Sequence, residues 1–128
     1  MHPRNCYADK KPDFGELAEF RPTLKPFLVQ KSNPPTLPYA FSLDFSQPAA
    51  LRELACALLE KDFGIKLEIP LDKLIPTVPL RLNYVHWVED LLVCANGDGS
   101  VPKGTSVIGI DIGTMTLFSK PVISSELQ

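Results

Sequence analysis

Seven of the chain's thirteen prolines lie in its first 38 residues. Proline removes a backbone donor and pushes its predecessor out of the helical region, so repeated prolines forbid long helices and central strands alike. Residues 1–38 are therefore expected to form an extended arm with one short helix at most, over Phe14–Phe20. After Pro38 the pattern changes. In YAFSLDF, Tyr39, Phe41, Leu43 and Phe45 alternate with smaller or polar residues, which places four apolar side chains on one face of a strand.

The next segment reads as a helix. Ser46 is positioned to cap it, Pro48 suits its first turn, and Leu51, Leu54, Ala55, Leu58 and Leu59 form a single apolar stripe. Gly64 is the expected stop. A short strand is predicted over Lys66–Ile69. Pro70, Pro76 and Pro79 then leave room for no more than one helical turn between breaks. A second helix is predicted from Arg81, with Tyr84, Val85, Val88, Leu91 and Leu92 on one face and Glu89 and Asp90 off it. Asn96–Ser100, rich in glycine, reads as a loop, and Val107–Ile112 as a buried strand. Tyr84 and Trp87 are expected in the core, and His86 is expected to be structural, with no ligand partner at metal spacing.

With 45% apolar and 22% charged residues, the 128-residue chain has the composition of one small folded domain. A net charge of −2 argues against a whole-surface electrostatic grip on nucleic acid. The charge is uneven, however. Residues 1–32 carry six Lys/Arg against four Asp/Glu, and the remainder seven against eleven. Phosphate contacts are thus expected at the N-terminal end. Three widely spaced cysteines and two histidines fit neither a disulfide framework nor a zinc site, and no metal is expected. The absence of a secretory pattern near the N-terminus and of a long apolar run leads to an intracellular expectation, in the nucleus, the cytoplasm or both.

The strand VIGIDI empties into Gly113-Thr114, and this arrangement supports two ligand chemistries. In one, Gly113 lets the backbone approach the methionine end of S-adenosylmethionine while the Asp111 carboxylate lies near the cationic part of that cofactor. In the other, GIDIGTMT resembles the first phosphate motif of the actin, chaperone and sugar-kinase ATPases. Met115, standing where a methyltransferase normally has glycine, locally favours the second. The ATPase motif, though, opens its domain, and here about a hundred residues precede it.

Those preceding residues carry a more specific string. LEIPLDKLIPTVPLRLNYVHWVEDLL, Leu67–Leu92, resembles the segment upstream of the cofactor loop in the RNA adenine-N6 methyltransferases of the methyltransferase-like protein sixteen and bacterial large-subunit ribosomal RNA type. The resemblance continues back through DFSQPAALRELACALLEKDFGI and HPRNCYADKKPDF, covering roughly residues 1–114.

That resemblance implies an α/β fold: an N-terminal extended and helical RNA-binding layer, then the beginning of a Rossmann-like class I methyltransferase domain. It divides the chain into a basic arm (1–38), a strand-helix-strand-helix layer (39–105), the first strand and cofactor loop (106–114) and a divergent tail (115–128). It implies S-adenosylmethionine as cofactor, held by Arg81, Asp111, Gly113 and Thr114. It implies structured RNA, of U6 small nuclear or ribosomal type, as substrate, with Arg4, Lys10 and Lys11 on phosphates. Cys6 and Ala8 stand where relatives tend to be basic.

Departures from the family pattern follow Thr114. The tail has no acidic residue before Glu126 to hold ribose hydroxyls, and no Asn-Pro-Pro-aromatic element to bind the adenine amino group. Asn33-Pro34-Pro35-Thr36 is read as a proline turn, since threonine cannot stack on a base. No catalytic residue is therefore assigned. The chain is expected to be a truncated form, inactive alone, with a non-catalytic RNA-binding fragment as the alternative function and an ATPase-type loop as a lesser one.

Overall fold

The computed structural model describes residues 1–31, 40–97, 99–100 and 108. The short helix of the arm forms over the expected span, Phe14–Phe20 (α1). Its start is explained by Asp13, whose carboxylate accepts the otherwise orphaned N–H groups of Gly15 (2.9 Å) and Glu16 (3.3 Å). Gly15 is needed for a close approach: a Cβ there would stand 3.2 Å from the Phe41 ring.

The remainder of the arm is more structured than its prolines alone indicate. Pro22–Phe27 winds into a 3-10 helix, with Pro22 in its first turn, and Leu24 inside it is completely buried. Leu28–Gln30 (β1) then pairs antiparallel with Phe41–Leu43 (β2), in the register Leu28 to Leu43, Val29 to Ser42 and Gln30 to Phe41. Bonds from Lys31 N–H to the Ala40 carbonyl (2.9 Å) and from Asp44 N–H to the Phe27 carbonyl (3.0 Å) extend the pairing at both ends. The predicted alternation holds in part: Leu43 is buried and Phe41 half-buried, but Phe45 is exposed because the chain has already turned away toward the next helix. Tyr39 lies outside the described residues.

That helix, Pro48–Phe63 (α2), is the centre of the molecule. Its cap differs from the sequence reading. Ser46 does not cap it; Ser46 N–H, Ser46 Oγ and Gln47 Nε2 all donate to the Asp44 carboxylate, and Gln47 occupies the cap position without a side-chain bond to the helix. Those bonds, that from the Ser46 hydroxyl foremost, hold the Asp44 carboxyl below its ordinary range. The buried face is also wider than one stripe. Ala55, Cys56, Ala57, Leu58 and Leu59 are buried in succession, as in a helix covered on most sides, while Leu51 and Leu54 sit at its margin. Small residues at Ala50, Ala55 and Ala57 let neighbouring elements approach.

Gly64 ends α2 as expected. At φ 66° it is left-handed, its N–H bonding to the Glu60 carbonyl as in an αL stop, while Ile65 N–H reaches back to the Leu59 carbonyl, so two carbonyls of the last turns are satisfied. Lys66–Ile69, predicted as a strand, is extended coil. Its alternation is real: Ile65, Leu67 and Ile69 face the core and Lys66 and Glu68 face solvent. It has no ladder partner among the described residues, and its Leu67 carbonyl instead accepts from Cys56 Sγ. Alternation reports burial of one face, and a strand also needs a neighbour.

The last helix, Val78–Ala95 (α3), begins three residues before the predicted Arg81. Pro79 sits in its first turn, where a missing N–H costs nothing, so it opens the helix rather than breaking it. Beyond Asn96, a turn closes with Gly99 at φ 70° and Gly99 N–H on the Asn96 carbonyl, in agreement with the loop expected there. Among the described residues no helix is long and apolar enough to cross a membrane.

A candidate RNA and cofactor interface

The first nine residues do not extend into solvent; they fold as turns onto α3. Asn5 N–H bonds to the His2 carbonyl and Ala8 N–H to the Asn5 carbonyl, both at 2.9 Å. Within this strap Asn5 is 3% exposed. A buried carboxamide is tolerated only if its groups find partners. Its oxygen accepts from Tyr7 N–H (2.9 Å), and its nitrogen donates to the Pro79 carbonyl (2.8 Å) and to Asn83 Oδ1 (2.6 Å). Asn83 Oδ1 accepts in turn from His2 N–H (2.9 Å).

A second anchor lies further along α3. The Arg4 guanidinium donates to Glu89 (3.0 Å), to the His86 carbonyl (3.2 Å) and to Asp90. His2 Nδ1 accepts from Arg4 N–H, so His2 Nε2 carries the proton and donates to Asp90 at 2.7 Å. His86 Nδ1 contacts Glu89 at 2.9 Å, and the two imidazoles stack with centroids 5.1 Å apart. The bond with His2 and the charge of Arg4 hold the Asp90 carboxyl below its usual range. Tyr7 completes the strap by donating to Asp62 at the end of α2. Burial, and then that bonded carboxylate, push the Tyr7 phenol well above its ordinary value.

The predicted site residues are distributed as follows. Arg4 is engaged by two carboxylates of α3. Lys10 and Lys11 are exposed and have no ion-pair partner among the described residues. Arg81 is exposed in the first turn of α3; its N–H bonds to the Thr77 carbonyl, and its guanidinium has no partner among the described residues. Asp111, Gly113 and Thr114 lie outside the described residues, as do Asn33–Thr36, the tail and the expected strand over 107–112 apart from Ile108, which is exposed and not in a strand. Of the four residues expected to hold the cofactor, only Arg81 lies among the described residues, and a guanidinium fork has the chemistry to take a carboxylate.

Two sequence readings need correction here. Tyr84 and Trp87, expected in the core, are 46% and 55% exposed, their rings 6.0 Å apart. The helix is apolar on most of its circumference, and it docks with the other side. Val78 and Leu82 meet the core, and Asn83, His86, Glu89 and Asp90 meet the strap. His86 is structural, as expected, but it is not isolated: a carboxylate lies one turn on, and the chain's other histidine arrives from the far end of the sequence. Among the described residues no group of three or more His, Cys, Asp or Glu is placed to hold a metal. Asn5, Asn83 and the Glu89-Asp90 pair were missed as partners of the arm. The one sequence signal was the spacing of His86 and Glu89 on a helix.

A family model described as RNA methyltransferase matches residues 1–127. The RNA N(6)-adenosine-methyltransferase mettl16 of Danio rerio is 47% identical over 128 residues, covering 100% of this chain and 24% of the relative. The U6 small nuclear RNA (adenine-(43)-N(6))-methyltransferase of Caenorhabditis elegans is 43% identical over 116 residues, covering 91% of this chain and 22% of that protein. The crystal structure of the N-terminal domain of human METTL16 in complex with SAH superposes with a TM-score of 0.64 at 50% identity, over 77% of this chain and 36% of that one. The human catalytic domain in complex with MAT2A 3'UTR hairpin 6 gives a TM-score of 0.64 at 52% identity, over 72% and 31%. These neighbours establish an α/β methyltransferase-like fold. The chain spans between about a fifth and a third of the length of the curated relatives it matches, and across that span, by sequence and by structure, it belongs to the RNA methyltransferase family.

Proposed function

We propose that this chain is the RNA- and cofactor-approach portion of an S-adenosylmethionine-dependent RNA adenine-N6 methyltransferase acting inside the cell, in the nucleus, the cytoplasm or both. The observation that carries the reading is the match of essentially the whole chain to the RNA methyltransferase family, together with a structural neighbour solved on a hairpin RNA. Residues 1–38 serve as the RNA-binding arm and 39–105 as the layer leading into the Rossmann-like domain. Lys10 and Lys11, exposed and without an ion-pair partner among the described residues, contact RNA phosphates without reading sequence. Arg81 holds the methionine carboxylate of the cofactor, with Asp111, Gly113 and Thr114 forming the loop beside it. S-adenosylmethionine supplies the activated methyl group when bound.

The substrate class is structured RNA, a stem-loop of the U6 or ribosomal type. These 128 residues contain no Asn-Pro-Pro-aromatic element, the group that would align the adenine amino nitrogen with the methyl donor. By themselves they bind rather than transfer. The free thiols of Cys6, Cys56 and Cys94 fit a reducing compartment.

The test is titration of a labelled stem-loop RNA with the purified chain at several salt concentrations, and of S-adenosylmethionine by calorimetry. Salt-sensitive RNA binding that weakens on replacing Lys10 and Lys11, and cofactor binding that weakens about tenfold or more in Arg81→Ala, are the expected results. Absent or salt-independent RNA binding overturns the RNA reading. Methyl transfer by the 128-residue chain overturns its non-catalytic role.

A further inference from the structure

The arm and the helix that carries Arg81 are not independent. Asn5 grips the first turn of α3 on either side of Arg81, at the Pro79 carbonyl and Asn83 Oδ1. Arg4 and His2 grip it again at Glu89 and Asp90. Pro79 and Asp90, the outermost contacts, are eleven residues apart, so at 1.5 Å per residue the two grips together span about 16 Å of the helix axis. Contacts spread over that length fix both the axial position and the rotation of a rod, where one would leave it free to pivot. Lys10 and Lys11 begin two residues after the strap's last turn bond, at Ala8.

We infer that Asn5 and Arg4 are positioning residues, which join the RNA-contacting arm and the Arg81-bearing helix into one rigid unit so that RNA phosphates and cofactor meet a preset geometry. Arg4 does this by pairing with protein carboxylates and adds no phosphate contact of its own. The inference rests on the proposed reading of Lys10 and Lys11 as phosphate contacts. It assigns Arg4 a role different from theirs despite the shared charge.

The roles separate by salt dependence. Losing one phosphate contact lowers the slope of log K against log salt by about one, whereas losing a positioning group lowers affinity at every salt concentration and leaves the slope unchanged. A synthetic stem-loop RNA is titrated with the 128-residue chain and with Asn5→Ala, Arg4→Ala and a Lys10→Ala/Lys11→Ala double variant. Amide hydrogen exchange in α3 is followed in parallel. Asn5→Ala and Arg4→Ala are expected to weaken binding roughly three- to tenfold at constant slope and to speed exchange in α3. The double lysine variant is expected to reduce the slope by about one to two and leave α3 exchange alone.

Arg4→Ala lowering the slope by about one with α3 exchange unchanged overturns the assignment of Arg4. Faster α3 exchange with unaltered RNA affinity reduces the strap to a purely structural element and overturns the positioning role. If the wild-type chain binds no RNA, the proposed function fails, and the exchange data still decide whether the strap holds α3. If Asn5→Ala does not fold, Asn83→Ala removes the bonds of Asn5 and His2 to Asn83 from the half-buried helix side, leaving the Asn5 bond to the Pro79 carbonyl, and is judged by the same criteria.

Discussion

Glu53 on α2 accepts from Arg21 Nε at 2.7 Å and from Thr23 Oγ1 at 2.6 Å, while Arg21 also reaches Glu60 at 3.1 Å. Both donors lie at the start of the 3-10 helix that carries the fully buried Leu24, so Glu53 fastens that segment to the central helix. Glu53→Ala removes one ion pair and one charge-assisted hydroxyl bond. Such bonds contribute about 1.5–3 kcal/mol each when well shielded. The Glu53 and Arg21 side chains retain roughly a quarter of their exposure, and Arg21 keeps Glu60, so solvent screening and the spare partner reduce the expected loss to about 1–2 kcal/mol. That corresponds to about 3–8 °C in Tm for a domain of this size. Urea unfolding followed by far-UV circular dichroism measures it directly.

A double-mutant cycle of Arg21→Ala with Glu53→Ala should show a coupling of about 0.5–2 kcal/mol. Burial works to raise the Glu53 carboxyl, but the bonds from Thr23 and Arg21 and the Arg21 charge outweigh it, and the net value lies below the ordinary range. The linked stability is therefore complete above the unfolded glutamate value of about 4.3 and is lost as pH falls through the lower folded value. Glu53→Gln should flatten that acid limb. A Glu53→Ala chain as stable as wild type, or a coupling indistinguishable from zero, refutes the fastening role.

Leu24→Ala, at the most buried large side chain of the 3-10 helix, should destabilise by about 2–5 kcal/mol in the same assay. Gly64→Ala places a Cβ in left-handed backbone at φ 66° with open space around it, so strain alone should cost about 1–2 kcal/mol, read as a fall in the urea midpoint with an unchanged m-value. Trp87→Gln, at a half-exposed position, should change stability by no more than about 0.5 kcal/mol. The emission of Trp87 in the wild-type chain should be red-shifted and readily quenched by iodide. A loss of 2 kcal/mol or more, or a shielded emission spectrum, would return Trp87 to the core.

Much of the local structure was legible because it depends on neighbours in sequence. The Phe14–Phe20 helix follows from a proline-free window between prolines, α2 from its apolar periodicity, and the end of α2 from a glycine that alone enters left-handed backbone without penalty. Each is decided within one or two turns of chain. The resemblance of residues 1–114 to RNA adenine-N6 methyltransferases was legible for the same reason, being carried by contiguous strings.

The tertiary structure decided whatever depended on a partner distant in sequence. Leu28–Gln30 became a strand because Phe41–Leu43 came alongside it, and Lys66–Ile69, with the better alternation, is coil with no strand alongside it among the described residues. Arg4 and Lys10 are alike as basic residues of one arm. Folding placed Arg4 against Glu89 and Asp90, where its charge is matched, and left Lys10 exposed, with no ion-pair partner among the described residues. The same folding turned one side of a nearly all-apolar helix toward the strap and left Tyr84 and Trp87 outside. Periodicity states which side chains avoid water; only the assembled chain, by bringing carboxylates and carbonyls within bonding distance, determines which face is covered and which cations are paired.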